Sequence, residues 1–506
     1  MTDTPEGTHV IGRTPKGVTV SETDIPGLLV LDLVVNGDNR GWFKETWQRA
    51  EMVAAGLPDF GPVQNSIAYN KEPGTTRGIH AEPWDKLVTC AFGKFFGAWV
   101  DLRPGATFGH TFCCEVGPAR AVFVPRGVGN SYQTLVSDTV YSYLVNDHWS
   151  PDATYSMLNQ ADPTVAIPWP IPLDRAVVSE KDKRHPFLGD VTPLAPRKTL
   201  IVGCHGQLGR ALHTQLGNNP SYEYVDIDTF DIAAPGGLED TRHWADYQTI
   251  VNAAAFTAVD KAETPDGRRA AWQANVTGVA NLAAVATAHG LTLVHVSSDY
   301  VFDGTATRPY TESDPFCPIS VYGQTKAAGD AIVSAVPRHY VVRTSWVIGD
   351  GKNFVRTMAS LAARGIKPAV VDDQVGRLTF TQDLAAGIVH LVRSGAPYGT
   401  YNLTCEGPAQ SWAQIAARVF ELLRHSPAEV TPVTTAAYYE GQAGPIAPRP
   451  ASSTLDLSKI ERAGFTPSDG DAALRAYVAK EAADAGGDGS GGPAGSASSP
   501  TDGKAA

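Results

Sequence analysis

Cysteine is scarce in this chain, at six among 506 residues, and none of the six forms a C-x-x-C pair. Cys90, Cys113, Cys114, Cys204, Cys317 and Cys405 therefore frame no disulfide scaffold and are expected as free, mostly buried thiols. A continuous apolar run of about 18 residues is also missing, which excludes a membrane-spanning helix. The opening MTDTPEGTHVIG has no basic segment followed by an apolar one, so no leader is read there and a cytoplasmic location is expected. No lysine- or arginine-rich block offsets the formal charge of −12, which argues against a general nucleic-acid partner. A local basic pocket for a small anionic molecule is still compatible with that charge.

What is present is globular in kind, with 43% hydrophobic and 19% charged residues. A chain of 506 residues exceeds a single hydrophobic core, so two or three domains are expected. Residues 18–187 carry short β-rich runs such as GLLVLDLVV, FFGAWVDLR and VYSYLVNDHW, separated by turn clusters such as NGDNRG and RPGATFG. This rhythm predicts antiparallel strands in a sandwich or barrel. The proline- and glycine-bearing stretch 188–198 reads as a linker. From 199 to 480 apolar strands alternate with helical segments: TLIVG precedes QLGRALHTQLG, and LTLVHVSSDYVF precedes VYGQTKAAGDAIVSAV. Such alternation predicts a parallel sheet covered on both faces. Residues 484–506, rich in glycine, serine and alanine, have too few apolar side chains to fold and read as a disordered tail.

His80, in TRGIHAEPWDK, could be a metal ligand, a base or a core histidine. Asp182 of SEKDKRHP and Lys86 of WDKLVTC are available as an orienting carboxylate and a charge partner, although each could equally be a solvated surface group. The strand pattern, with His80-Ala81-Glu82 followed by Pro125-Arg126-Gly127-Val128-Gly129-Asn130, resembles the cupin barrel. Metal-binding cupins place histidines where this chain has Glu82 and Asn130, and an amide is a poor substitute ligand, so no metal is expected.

The ordered set GDNRGWFKE, VQN, TRGIH, KLVTC, VPRGVGNSYQTL, YSYLVNDHWSP and SEKD is similar to the dTDP-4-dehydrorhamnose 3,5-epimerase family over nearly all of residues 20–187. The resemblance implies a metal-free, cupin-like jelly-roll barrel that forms a homodimer. It implies His80 as base, Asp182 as its partner, Lys86 as stabiliser of an enolate and Tyr143 as proton donor. It also implies that Arg40, Glu45, Gln64 and Arg77 hold the nucleotide diphosphate, with Asn130 near the substrate where the family commonly carries a second histidine. Inverting a carbon requires proton removal on one face and delivery on the other, so His80 and Tyr143 should flank the sugar. The enolate oxygen needs a fixed donor, worth about 3 kcal/mol.

In the second half, the turn Gly203, Gly206, Gln207, Leu208, Gly209 lies between a predicted strand and helix, as a pyrophosphate-binding turn would. Taken alone it could be an ordinary tight β–α turn. Asp226 ends the next predicted strand, where a carboxylate would accept ribose hydroxyls or simply cap the strand. Tyr322 and Lys326 are four apart on one helix face. An adjacent ammonium favours ionisation of a phenol, which would suit the pair to delivering a proton. Ser298 of HVSSDYVFDG would hold the carbonyl oxygen.

This arrangement resembles the extended short-chain dehydrogenase/reductases, whose fold is an α/β Rossmann-type doubly wound parallel sheet with a small C-terminal substrate subdomain. VNAAAFTAVDKAE, SSDYVFDG, VYGQTKAAGD and DDQVGRLTF are further similar to the dTDP-4-dehydrorhamnose reductase family. That resemblance implies NADPH or NADH as cofactor and Ser298, Tyr322 and Lys326 in catalysis. It puts Ala254, Ala255 and Thr257 beside the cofactor, and Asp299 and Trp346 near the sugar. Some of those reductases carry a glutamate soon after the third glycine that helps a magnesium ion bridge two subunits; Arg210-Ala211-Leu212 stands here, which argues against that metal and that dimer.

Together the resemblances imply a bifunctional enzyme acting on a dTDP-linked 4-keto-6-deoxyhexose. Two other readings are compatible with the residues: the same chemistries on another deoxysugar, or a reductase-like regulatory binding module attached to an epimerase.

Overall fold

Residues 5–151 and 153–487 are described by a computed structural model, so the tail expected from 484 falls outside them from residue 488 on. The chain divides into two compact units, Met1–Arg197 and Lys198–Ala506.

The first unit is β-rich. A seven-stranded antiparallel sheet runs in the order His9–Arg13, Thr19–Glu22, Leu29–Asp32, Arg120–Val124, Lys86–Phe92, Thr139–Val145, Gln64–Asn70. The second sheet runs Thr111–Val116, Phe95–Asp101, Val128–Thr134, Thr75–Ala81, Ser156–Met157, with Val177–Val178 added parallel to Thr75–Ala81. Alternate side chains of the two sheets meet in one core, where Val30, Val88 and Tyr141 of the first contact Trp99 and Tyr132 of the second. On the second sheet's other face, Ile79, Ala98 and Val100 form a separate cluster with Leu158 and Val191. The segment read as a linker is docked on the first unit in its middle: Leu194 is buried, and its N–H donates to the Leu102 carbonyl at 3.1 Å.

The second unit is built on a six-stranded parallel sheet in the order Tyr222–Val225, Lys198–Val202, Tyr247–Asn252, Thr292–Ser298, His339–Thr344, Gly399–Asn402. Period-two alternation divides its side chains between two cores. Leu200, Ile250, Leu293 and Val341 pack under the helices Gly278–Ala288 and Val321–Val333. Ile201, Val251, Val294 and Val342 pack under the helices Gln207–Leu216 and Thr381–Ser394. Burial on both faces explains why these strands read as continuous apolar runs. A third core, with Val355, Met358, Ile415 and Phe420, joins the helices Phe354–Ala363 and Trp412–Leu422 to the C-terminal helix Gly470–Gly487.

Leu293 is fully buried at the centre of the parallel sheet. Leu293→Ala is expected to destabilise the second unit by about 3 kcal/mol, whereas Ile227→Ala, at a side chain 77% exposed, should stay within about 0.5 kcal/mol. The denaturant midpoint of the second unit's unfolding, followed in the two variants, checks both.

Candidate functional sites

In the first unit, His80 pairs across the ladder with Asn130, and Asn130 pairs in turn with Trp99. Directly paired residues share a face, so these three side chains point alike, and Trp99 lies in the core between the sheets. A short 3₁₀ turn, Asp182–Arg184, carries its first residue to the histidine: Asp182 Oδ1 is 3.1 Å from His80 Nε2. Burial alone would raise the Asp182 carboxyl, but the hydrogen bond and charge of His80, together with His185 and Ser179, hold it below the ordinary carboxylate range.

Lys86 and Tyr143 come from the other sheet. Lys86 is buried, ion-paired with Glu82, and its ammonium sits 4.5 Å from the centroid of the Tyr143 ring. Tyr143 packs against the core that contains Trp99. The histidine–aspartate pair and the lysine–tyrosine pair thus belong to opposite walls of the unit.

Asn130, the departure from a histidine, is fully engaged. Its Oδ1 accepts from Trp99 Nε1 at 3.0 Å and its Nδ2 donates to the Tyr141 hydroxyl at 3.0 Å. Arg77 donates to Asn70 Oδ1 at 3.2 Å, and Gln64 Oε1 is 2.9 Å from His148 Nδ1. Arg40 and Glu45 bond instead to local charges: Arg40, on an exposed hairpin, to Asp38 at 2.5 Å, and Glu45 to Lys16 at 3.2 Å.

Sequence reasoning missed His185. Its buried Nε2 lies 3.7 Å from Asp182 Oδ1, and its ring stands edge-on to His80 at 5.3 Å between centroids. Burial, then the charge of His80, lowers its pKa. The only signal was its position three residues after Asp182. His80, Asp182 and His185 each offer one ligand atom, all within 4.8 Å of one another, so they form a three-ligand set able to meet a metal ion. Cys204, His205 and Asp226 form a second such set.

In the second unit, Gly203 adopts φ +82° at the strand end, and a Cβ there would lie 2.6 Å from the Ala254 nitrogen. A Cβ on Gly209 would lie 2.1 Å from the Gly203 carbonyl oxygen, so helix and strand close only with glycine at both positions. Gly206 caps the helix Gln207–Leu216 without a side-chain hydrogen bond, which leaves the first N–H groups directed outward. Two cavities meet at Gly206, Ala253 and Ala255. The smaller, about 440 Å³, is lined by Gly203, Asp226 and Ala254. The larger, about 570 Å³, is lined by Gln207, Leu208, Thr257, Ser298, Tyr322 and Lys326, and it also reaches Asp299 and Trp346. The glycine cradle and the paired chambers fit a dinucleotide beside a second ligand.

The loop after strand Tyr247–Asn252 is bracketed by Asn275, whose amide accepts from Phe256 N at 2.8 Å and donates to its carbonyl at 3.1 Å. Asn275 sits in a π-helical stretch, Gln273–Thr277, a local widening that turns this side chain to the loop. Ser298 donates to Asp299 Oδ1 at 2.9 Å. Asp299 Oδ2 is buried without a partner, and burial pushes this carboxyl up to about 6. Trp346 stacks on Trp412 with centroids 3.7 Å apart. Arg210, in the place of the magnesium-linked glutamate, donates to the Asp350 carbonyl at 2.5 Å.

One electrostatic expectation is corrected. The sequence suggests that Lys326 lowers the Tyr322 phenol; in the structure burial, followed by the Asp299 charge, raises it above its ordinary value, with the Ser298 hydroxyl opposing. Lys326 is drawn elsewhere: its ammonium donates to the Val296 carbonyl at 2.7 Å and lies 3.3 Å from His295 Nε2. Burial lowers its pKa to about 8. His295 and Arg449 were not singled out from sequence. His295 alternates with core residues along its strand and carries no local mark. Arg449, a cation lining the larger cavity, is held by Asp260 at 2.8 Å from a distant part of the chain.

Comparison with known proteins matches both halves. The dTDP-4-dehydrorhamnose 3,5-epimerase family matches residues 22–190, and the RmlD substrate binding domain family matches residues 197–482. A protein RmlC homolog of Streptococcus pyogenes is 48% identical over 181 residues, covering 34% of this chain and 91% of that protein. A dTDP-4-dehydrorhamnose reductase structure from Clostridium acetobutylicum is 37% identical with a TM-score of 0.52, covering 56% of this chain and 99% of that one. A reductase of the same name from Bacillus anthracis, solved in complex with NADP, is 30% identical with a TM-score of 0.51 over 56% and 99% of the two chains. The chain therefore belongs to both families, joining a dTDP-4-dehydrorhamnose 3,5-epimerase of the RmlC kind to a reductase of the RmlD kind in one polypeptide.

Proposed function

We propose that the chain converts dTDP-4-dehydro-6-deoxy-D-glucose to dTDP-L-rhamnose in two steps, 3,5-epimerisation in the first unit and reduction of carbon 4 in the second. The observation that carries this reading is a separate proton-transfer set in each unit: His80–Asp182 facing Lys86–Tyr143 in one, and Ser298–Tyr322–Lys326 lining the larger cavity in the other.

In the first unit, His80 removes the proton beside the ketone, and Asp182 orients the ring and compensates the imidazolium that forms. Lys86 stabilises the enolate oxygen. Tyr143, on the opposite wall, returns a proton to the other face. The diphosphate is held by Gln64, Arg77, Arg40 and Glu45, and Asn130 borders the sugar.

In the second unit, the turn from Gly203 to Gly209, with Asp226, Ala254, Ala255 and Thr257, binds NADPH or NADH. The cofactor when bound supplies hydride to carbon 4. Ser298 holds the carbonyl oxygen, Tyr322 protonates it, and Lys326 supports the phenol. Asp299 and Trp346 line the sugar's side of the pocket.

The two facing sheets support a cupin-like jelly roll, and the third core supports a small C-terminal substrate subdomain. Exposed Trp42, Phe43, Ile67 and Tyr69 support a homodimer formed through the first unit. Six free thiols and joint use of a nucleotide sugar with NAD(P)H favour the cytoplasm; among the described residues, no helix is long and apolar enough to cross a membrane.

Supplying the 4-keto sugar in deuterated water should give deuterium at carbons 3 and 5 by NMR. His80→Asn is expected to lower that exchange at least about 100-fold, with NAD(P)H oxidation retained on pre-epimerised substrate. Exchange should persist after chelator treatment, and its loss would assign the His80, Asp182 and His185 set to a metal. For the reductase, Tyr322→Phe should lower NAD(P)H oxidation by about 100-fold or more while leaving deuterium exchange intact. A product other than dTDP-L-rhamnose would redirect the assignment to another deoxysugar.

A further inference from the structure

Beside the Lys326 side chain lies a buried polar chain that the reaction as described does not use. Asn252, at the end of its strand, accepts from the Ala254 N–H at 3.1 Å through Oδ1 and directs Nδ2 at His295 Nδ1, 3.1 Å away. His295 is fully buried, and its other nitrogen, Nε2, is 3.3 Å from Lys326 Nζ. The backbone N–H of Ala254 needs an acceptor, which dictates which end of the Asn252 amide faces the histidine. The amide N–H₂ therefore donates to His295 Nδ1.

A neutral imidazole has one donor and one acceptor. With Nδ1 accepting, the ring proton sits on Nε2, aimed at Lys326. An ammonium has no lone pair to receive it, whereas an amine does, and an amine can still donate to the Val296 carbonyl. The chain closes without conflict only when Lys326 has given up a proton. We propose that His295, oriented by Asn252, is a positioning residue that favours the amine form of Lys326, so that Lys326 can release the proton that restores Tyr322.

The proton count balances. Tyr322 O–H passes its proton to the oxygen on carbon 4 as that carbon is reduced. Lys326 then releases one N–H proton, which reaches the Tyr322 oxygen through a hydroxyl or water in the larger cavity that both side chains line. Lys326 is left as an amine accepting from His295 Nε2–H, and it regains its proton from solvent between turnovers. This account rests on the reductase reading above.

The other groups around Lys326 do not replace His295. Asp330, one turn along the helix, favours the ammonium, but its Oδ2 is held by Arg343 Nε at 2.9 Å. Asp299 acts on Tyr322 and is tied to Ser298. Burial of Lys326 works in the same direction as the histidine. For the sign, the ammonium needed at the start of turnover is present below a pKa of about 8 and is lost as pH rises through it, so reduction falls on the alkaline side.

The test uses the full chain, labelled with ¹⁵N-histidine. Long-range proton–nitrogen correlation, with the His295 signals assigned by their loss in His295→Gln, should show Nδ1 unprotonated and Nε2 protonated. A protonated Nδ1 would overturn the proposal with no activity measured. In Asn252→Asp the carboxylate can accept from both Ala254 N–H and His295 Nδ1–H, which turns Nε2 into an acceptor for the ammonium. The alkaline limb of kcat for reduction should then move up by about one pH unit or more, with KM for the cofactor little changed. A limb that stays in place while the tautomer reverses would also overturn the proposal. If the intact chain oxidises no NAD(P)H with the keto sugar, the reductase reading fails instead, and the tautomer result stands apart from it.

Discussion

A charge enclosed in either unit must find a partner, because removing an ion from water costs several kcal/mol that only close opposite charge or hydrogen bonds repay. Asp182 satisfies this through His80, Lys86 through Glu82, Asp330 through Arg343, and Lys326 through the Val296 carbonyl. These side chains are thus fixed in place by the same contacts that make their burial tolerable.

The two units meet this requirement with different geometry. In the first, His80 and the Lys86–Tyr143 pair come from two facing antiparallel sheets, and a 3₁₀ turn brings Asp182 to the histidine. In the second, Ser298 and the strand end at Asn252 come from neighbouring strands of one parallel sheet, and Tyr322 and Lys326 come from the helix packed over it. Ser298 and Asn252 are the last residues of their strands, at the carboxyl edge where such sheets leave a crevice for ligands. Two-faced chemistry at carbons 3 and 5 and one-sided delivery at carbon 4 suit the respective architectures.

Asn130 shows how a departure from a family pattern is absorbed. An imidazole at this position would offer one donor and one acceptor, and the amide offers the same pair to Trp99 and Tyr141. The buried indole N–H and phenol remain satisfied, so the substitution leaves no orphaned polar group at these partners. His185 meanwhile brings a second imidazole to Asp182 from a different direction.

Much of this was legible in residue order alone. Strand rhythm separated a β-rich half from an alternating half because side-chain period and turn chemistry are local properties of the chain. The glycine turn and the four-residue spacing of Tyr322 and Lys326 were readable for the same reason: one turn and one helix contain them. Whatever depends on residues distant in sequence was decided only by folding. The pairing of His80 with Asp182, 102 positions later, could be stated from family likeness but not from spacing. The docking of Leu194, the approach of His185 to Asp182, and the Asn252–His295–Lys326 chain across 74 positions carried no local mark. The acidity of Tyr322 ran against the sequence expectation, because an ammonium four residues away counts for less than complete removal from water, and burial belongs to the folded chain as a whole.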